Sequence, residues 1–210
     1  MKIVLNDKSV SIGSRPEPYE TAKWWQWVLS FDKANNPLNG ANANQDLPFL
    51  CLACTGGGED IGRKLQVRTK DAGKDLLIPI FTSEYSTAEL GSAASDEELL
   101  SQAKDDVKDP KHLELIIEGN PILPLEQFYV EAGPFTIQLP PDHILYDERI
   151  MPGKYRAMCA GYWMKVNSFQ GRDNVVIQFG GTGRNGFHTK VRYKVEMHSQ
   201  EAVIDPLRVH

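Results

Sequence analysis

The sequence predicts a mainly-β domain, an antiparallel β-sandwich or jelly roll with an N-terminal Trp-rich helix and one inserted helix at about residues 95–108. Three observations predict it. Short β-type runs punctuated by Gly and Pro recur through the second half of the chain. Near the C-terminus Phe187, Thr189, Val191, Tyr193, Val195 and Met197 alternate with His188, Lys190, Arg192, Lys194 and Glu196. That is the period of two of a strand with one dry face and one wet face. Only two segments carry a helical period.

The first helical segment follows Pro16 and Pro18. Trp24, Trp27 and Val28 stand at i, i+3 and i+4, one face of a short helix ending near Leu29. Each indole buries a large apolar area, so the Trp cluster reads as an anchor of helix to sheet rather than as a sugar-stacking or membrane surface. Residues 35–46, rich in Asn and Gly, read as a loop. The apolar run 47–54, closed by Gly56, Gly57 and Gly58, reads as a buried strand. Residues 76–81 read as a second strand, at an edge or bulged, because Pro79 removes a ladder donor. Ser95-Asp96-Glu97-Glu98 fits a capping box, with acidic residues where the helix dipole favours them. Leu99, Leu100, Ala103 and Val107 make its apolar stripe, and Asp109-Pro110 stops it. Residues 112–118, 128–130 and 135–139 are short β-type runs. The segment 155–169 is apolar on both parities, which calls for burial on both faces or a bulge near Gly161. Residues 174–179 and 187–197 pair as an antiparallel hairpin, joined by the Gly-rich loop 180–186.

No repeat or linker divides the 210 residues, so a single β-rich domain over 1–210 is expected, with 1–18 and 199–210 as peripheral arms. A chain of this length buries about 70% of the surface its unfolded form exposes and needs no disulfide or metal to fold. The net charge is −5, without the basic excess that releases counterions from phosphates, so no nucleic-acid partner is expected. No apolar run is long enough to span a bilayer, and no membrane partner is expected. The start turns polar at Asn6 after three apolar residues, too few for a secretory signal, and the three cysteines are sparse and odd in number. A cytoplasmic, reducing compartment follows.

Motifs that would name a chemistry mostly fail. Cys51-x-x-Cys54 has no second close Cys or His pair, and i and i+3 of a strand point to opposite faces. Buried thiols are the expectation there, and no metal site. Gly57-x-x-x-x-Gly62 is followed by Arg63-Lys64, without the hydroxyl a phosphate-cradling loop uses for magnesium. The five histidines show no chelating spacing, and no G-x-S-x-G elbow occurs. No cofactor is expected. What remains is a polar cluster flanking the two buried runs: Glu59, Asp60 and Arg63 after the first, Lys74 before the second, and Glu84, Tyr85, Ser86 and Glu89 after it. Loops at strand ends commonly carry sites, so Arg63, Lys74, Glu84 and Ser86 are the candidate binding residues.

Trp24-Trp25-Gln26-Trp27, the run from Pro48 to Cys54 with its glycines, and Ala72-Gly73-Lys74 leading into the strand with Pro79 together resemble a bacterial protein family without an established activity. Its members look like W-x-W, then P-V-W-F-L-A-G, then P-A-G-K. The likeness extends to Glu84-x-Ser86, to Gly161-Tyr162-Trp163 and to the closing strands, but Cys51 and Cys54 replace Phe and Gly, and Asp71 replaces the Pro. The resemblance implies a shared fold, a site near Lys74 and Glu84, and no particular reaction.

The expected role is a β-sandwich module that binds a small molecule, a glycan or a protein partner, since no catalytic constellation is recognisable. One alternative is a hydrolase-like enzyme pairing Glu84 as general base with Lys74 or Arg63 at the sheet end. Another is a structural subunit of an assembly, joined through the edge of the terminal hairpin.

Overall fold

The computed structural model describes residues 2–5, 8–11, 13–41, 46–145, 147, 149–167 and 174–197. In chain order, β1 (Lys2–Leu5) and β2 (Lys8–Ser11) form a small hairpin. They are followed by α1 (Pro18–Leu29), β3 (Leu50–Cys51), β4 (Gly58–Val67) and β5 (Leu76–Ser86). Next come α2 (Thr87–Leu90), α3 (Asp96–Val107), β6 (His112–Ile117) and β7 (Asn120–Pro121). The chain then forms β8 (Tyr129–Leu139), β9 (Gly153–Val166), β10 (Asn174–Thr182) and β11 (His188–Met197).

The architecture is the mainly-β sandwich with an N-terminal Trp helix and an inserted helix. One sheet has five strands in the order β4-β11-β10-β6-β7, the other four in the order β3-β5-β9-β8. Both are mixed rather than purely antiparallel. β4 lies parallel to β11, and β3 parallel to β5. Ser14 clips the chain onto β9 through two backbone bonds to Lys165. The expected C-terminal arm, 199–210, lies outside the described residues.

The four-stranded sheet is covered on both faces, which is why 157–164 is buried at every position. On the Cys159–Trp163 face lies α1. Trp24 is fully buried there, its ring edge-on to Trp163 at 5.1 Å, and its Nε1 donates to Leu52 O at 2.7 Å. An indole burying about 200 Å² contributes an upper estimate of about 5 kcal/mol. Trp25 and Trp27 are buried as well, so the cluster is an anchor and offers no exposed stacking platform. On the Met158 face lies α3, whose Leu99 packs with Met158 and Ala94. Its cap is the one the sequence predicts: Ser95 N donates to Glu98 Oε2 at 2.7 Å, and Glu98 N to Ser95 Oγ at 3.2 Å. No helix among the described residues is long and apolar enough to cross a membrane.

Four local expectations change. Within the run 47–54, Phe49 to Cys54 are buried, but only Leu50–Cys51 is strand. Beyond it, side chains replace a strand neighbour. Trp24 takes Leu52 O, the Tyr193 hydroxyl contacts both backbone groups of Ala53, and Arg63 takes the Ala53 and Cys54 carbonyls. Residues 58–67, from which the sequence offers only the polar residues Glu59, Asp60 and Arg63, are a ten-residue strand whose inward positions are Arg63, Leu65 and Val67. A charged residue at an inward position hides the alternation. The runs 128–130 and 135–139 are one strand, β8, with a register shift between Ala132 and Phe135. Gly180 and Gly181 belong to β10 rather than to the hairpin loop, because a Cβ at 181 would stand 2.6 Å from the Phe81 ring of the facing sheet. Of the predicted dry face, Thr189, Val191, Tyr193 and Val195 are buried, whereas Phe187 precedes β11 and is exposed.

Candidate functional site

β5 pairs with β9 along its whole length, but with β3 only at Leu76 and Leu77. Past Leu77 its other edge has no strand neighbour among the described residues. Along an open edge, side chains of both parities reach the same space, and the five consecutive residues Phe81 to Tyr85 line one cavity of about 360 Å³. Trp25 and Leu29 of α1 form one wall. Asp106 and Val107, at the end of α3, form another. Asn185, Phe187 and Thr189 come from the β10–β11 hairpin, and Cys54, Thr55 and Gly56 follow β3. Phe187, 43% exposed, stands at the mouth with its ring 6.3 Å from that of Phe81.

Three polar groups lining this cavity are buried and carry an atom without a hydrogen-bond partner among the described residues: Trp25 Nε1, Glu84 Oε1 and Thr189 Oγ1. An orphaned buried polar atom costs about 1–3 kcal/mol, and all three belong to residues that line this one cavity.

Glu84 is the most perturbed of them. Burial, reinforced by the nearby Glu89 carboxylate, pushes its carboxyl well above the usual range. The Ser86 hydroxyl donates to Glu89 Oε2 at 2.9 Å and also contacts Glu84, which offsets part of that rise. Glu89 is fixed by the capping box of α2, where Ser86 N also donates to Oε2 at 2.9 Å, and burial raises its pKa too. Asp106 sits at the C-terminal end of α3, where the dipole disfavours a carboxylate. Ser83 Oγ donates to it at 2.8 Å.

The sequence-predicted site residues divide. Glu84 and Ser86 are in the cavity wall or directly behind it. Arg63 is not: its guanidinium is a buried staple, donating to the carbonyls of Pro37 and Leu38 at 2.9 Å and of Ala53 and Cys54 at 3.1 and 3.0 Å, and to Asp60 at 2.6 Å. Lys74 is tied to Leu47 O at 2.7 Å and to buried Asp71 at 2.8 Å. These contacts hold the turn that precedes β5, while Glu84 lies eight residues beyond the first residue of that strand, about 25 Å along it. The Glu84–Lys74 pairing of the hydrolase reading is therefore not formed, and neither basic residue lines the cavity. Cys51, Cys54 and Cys159 are buried thiols, with Cys54 and Cys159 pushed up to about 12 by burial. No group of three His, Cys, Asp or Glu side chains among the described residues is arranged to hold a metal ion.

Sequence reasoning missed Trp25, Asp106 and Thr189 as wall residues. Two of them leave a trace. Thr189 is the one aliphatic hydroxyl on the otherwise apolar and aromatic face of β11, and Asp106 is an acid where a helix end favours a base. Ser86-x-x-Glu89 repeats the capping-box pattern that marks α3. The cavity can hold an apolar body of modest size and offer it a few neutral or negative hydrogen-bonding groups. No family model, curated protein or solved structure matches the chain, so the resemblance drawn from its motifs gains no support there and the site stands on its geometry.

Proposed function

We propose that this protein is a small-molecule-binding domain whose ligand occupies the cavity along the open edge of β5. The observation that carries the reading is that three residues lining one mostly apolar space, Trp25, Glu84 and Thr189, each hold a buried polar atom that is unpartnered among the described residues. Binding pockets have this composition: apolar walls for affinity and a few placed polar atoms for orientation. The volume, about 360 Å³, is at the small end of ligand sites and suits a single-ring or fused-ring molecule. The burial of Trp24, Trp25 and Trp27 argues against a glycan platform built on the Trp helix.

A thermal-shift screen of small aromatic amines, alcohols and acids tests the proposal. Compounds that stabilise the wild type should lose their effect on Ile144→Trp, which adds an indole to a half-buried wall residue, and keep it on Lys74→Met, which leaves the cavity alone. Hits that stabilise Ile144→Trp as strongly as the wild type, or a screen with no hit, would overturn it.

A further inference from the structure

We infer that the ligand is a protonated amine on an aromatic or aliphatic body, with its ammonium group donating to Glu84 and its body lying against Trp25, Phe81 and Phe187. The inference rests on the binding reading above and names the class of ligand. Charge is the first support. Three carboxyl side chains, Glu84, Glu89 and Asp106, line the cavity, and no Lys, Arg or His does among the described residues. An anionic ligand would find no basic side chain in this lining, whereas a cation would find up to three acceptors. The walls are the second support: aromatic faces of Trp, Tyr and Phe attract a cation lying over them, by about 0.5–2 kcal/mol depending on desolvation. The third is that Glu84 Oε1 has no partner of its own among the described residues, although the residue is 93% buried (7% exposed). An acceptor in that position is complementary to an N–H donor.

Binding of such a ligand exchanges one cation for another. The Glu84 carboxyl gives its proton to solvent, the N–H of the ammonium takes that place at the oxygen, and the net charge of the pocket is unchanged. The titratable groups that interact with Glu84 are Glu89 of α2, Tyr85 on its own strand and the Cys159 thiol of β9, and Asp106 of α3 lines the same cavity and acts on Glu89 and Tyr85. All of them are neutral or negative, so none competes with the ammonium for the role of cation.

Calorimetric titration at pH 7 with 2-phenylethylamine, 2-phenylethanol and phenylacetate, each in two buffers of different ionisation enthalpy, is the test. For probes this small the expected affinity is about millimolar. The amine should bind about five- to tenfold more tightly than the alcohol, the difference between a charged and a neutral hydrogen bond, and phenylacetate more weakly than either. Amine binding should release up to about one proton to the buffer, and alcohol binding none. In Glu84→Gln the preference for the amine and the proton release should both disappear while the alcohol still binds. Should that variant fail to fold, Asp106→Asn should weaken the amine and leave the alcohol unchanged. If the alcohol equals or exceeds the amine, or phenylacetate binds most tightly, the inference is overturned while the binding function stands. If none of the three binds, the inference is likewise overturned, and the screen of the preceding section decides separately whether the cavity binds anything.

Discussion

Arg63→Met tests whether the only buried guanidinium among the cavity's near neighbours is a structural staple, as its contacts indicate. Methionine keeps most of the aliphatic volume and removes every donor. Of the four carbonyls involved, Pro37 O keeps the Gly40 amide and Ala53 O keeps the Tyr193 hydroxyl. Leu38 O and Cys54 O lose the guanidinium. An orphaned buried carbonyl costs about 1–3 kcal/mol, with Cys54 O buried and Leu38 O half-buried. Asp60 is 36% exposed at its side chain and returns to water at little cost. The variant should therefore be destabilised by about 3–4 kcal/mol, within the range for breaking a buried ionic network. Urea denaturation followed by tryptophan fluorescence reads this directly. With an m-value of about 2–3 kcal/mol/M the midpoint should fall by roughly 1–2 M. Arg63→Lys should lose about half as much, since one ammonium reaches Asp60 and a single carbonyl but not all four. Because Leu38 and Cys54 also line the cavity, both variants should weaken binding of any compound found there. A midpoint for Arg63→Met within about 0.3 M of the wild type, equivalent to less than about 1 kcal/mol, would refute the staple and return Arg63 to the candidate site.

Two further outcomes follow. The native state holds the Glu84 proton above the unfolded-state value of 4.5, so this group's stabilisation is present below that pH and is lost as pH rises toward and through its raised native value. Glu84→Gln should remove that dependence, leaving a smaller slope from Glu89, and should be more stable than the wild type at pH 8 by at least about 1 kcal/mol; parallel stability–pH curves from pH 5 to 8 would count against a protonated Glu84. Gly181→Ala places a methyl 2.6 Å from Phe81 Cγ and 2.8 Å from its Cβ, at the rigid base of the ring, and should cost about 1–3 kcal/mol. The Gly181→Ala/Phe81→Ala double variant, which removes the Cγ and Cδ2 contacts, should lose less than the sum of the two single losses, and purely additive losses in the double-mutant cycle would show that the two sites do not meet.

Much of the fold was legible because it follows from local patterns. The Trp helix, the capped helix α3 and the strict alternation of β11 each rest on residues a few positions apart, and each appears where its pattern places it. β4 was hidden because one of its inward residues is Arg63, which reads as surface until its carbonyl partners, brought from 37–38 and 53–54, are seen. β3 was overextended because Leu52, Ala53 and Cys54 are as buried as any strand while their backbone groups bond to side chains from distant segments.

The candidate site shows the same division. Sequence alone placed Glu84 and Ser86 in a polar cluster after the second buried run, and the chain's own order determined that Ser86 would cap a helix with Glu89. It could not separate Glu84 from Lys74, since both flank one strand and only the extended length of β5 sets them at opposite ends. Nor could it bring Trp25, Asp106 and Thr189 to Glu84, because those residues come from α1, α3 and the terminal hairpin. Side-chain periodicity depends on neighbours within a turn or a pleat, so the sequence determined which residues face inward. Which inward faces meet depends on sheet order and on the edge that β3 leaves uncovered, and that was decided only when the whole chain packed together.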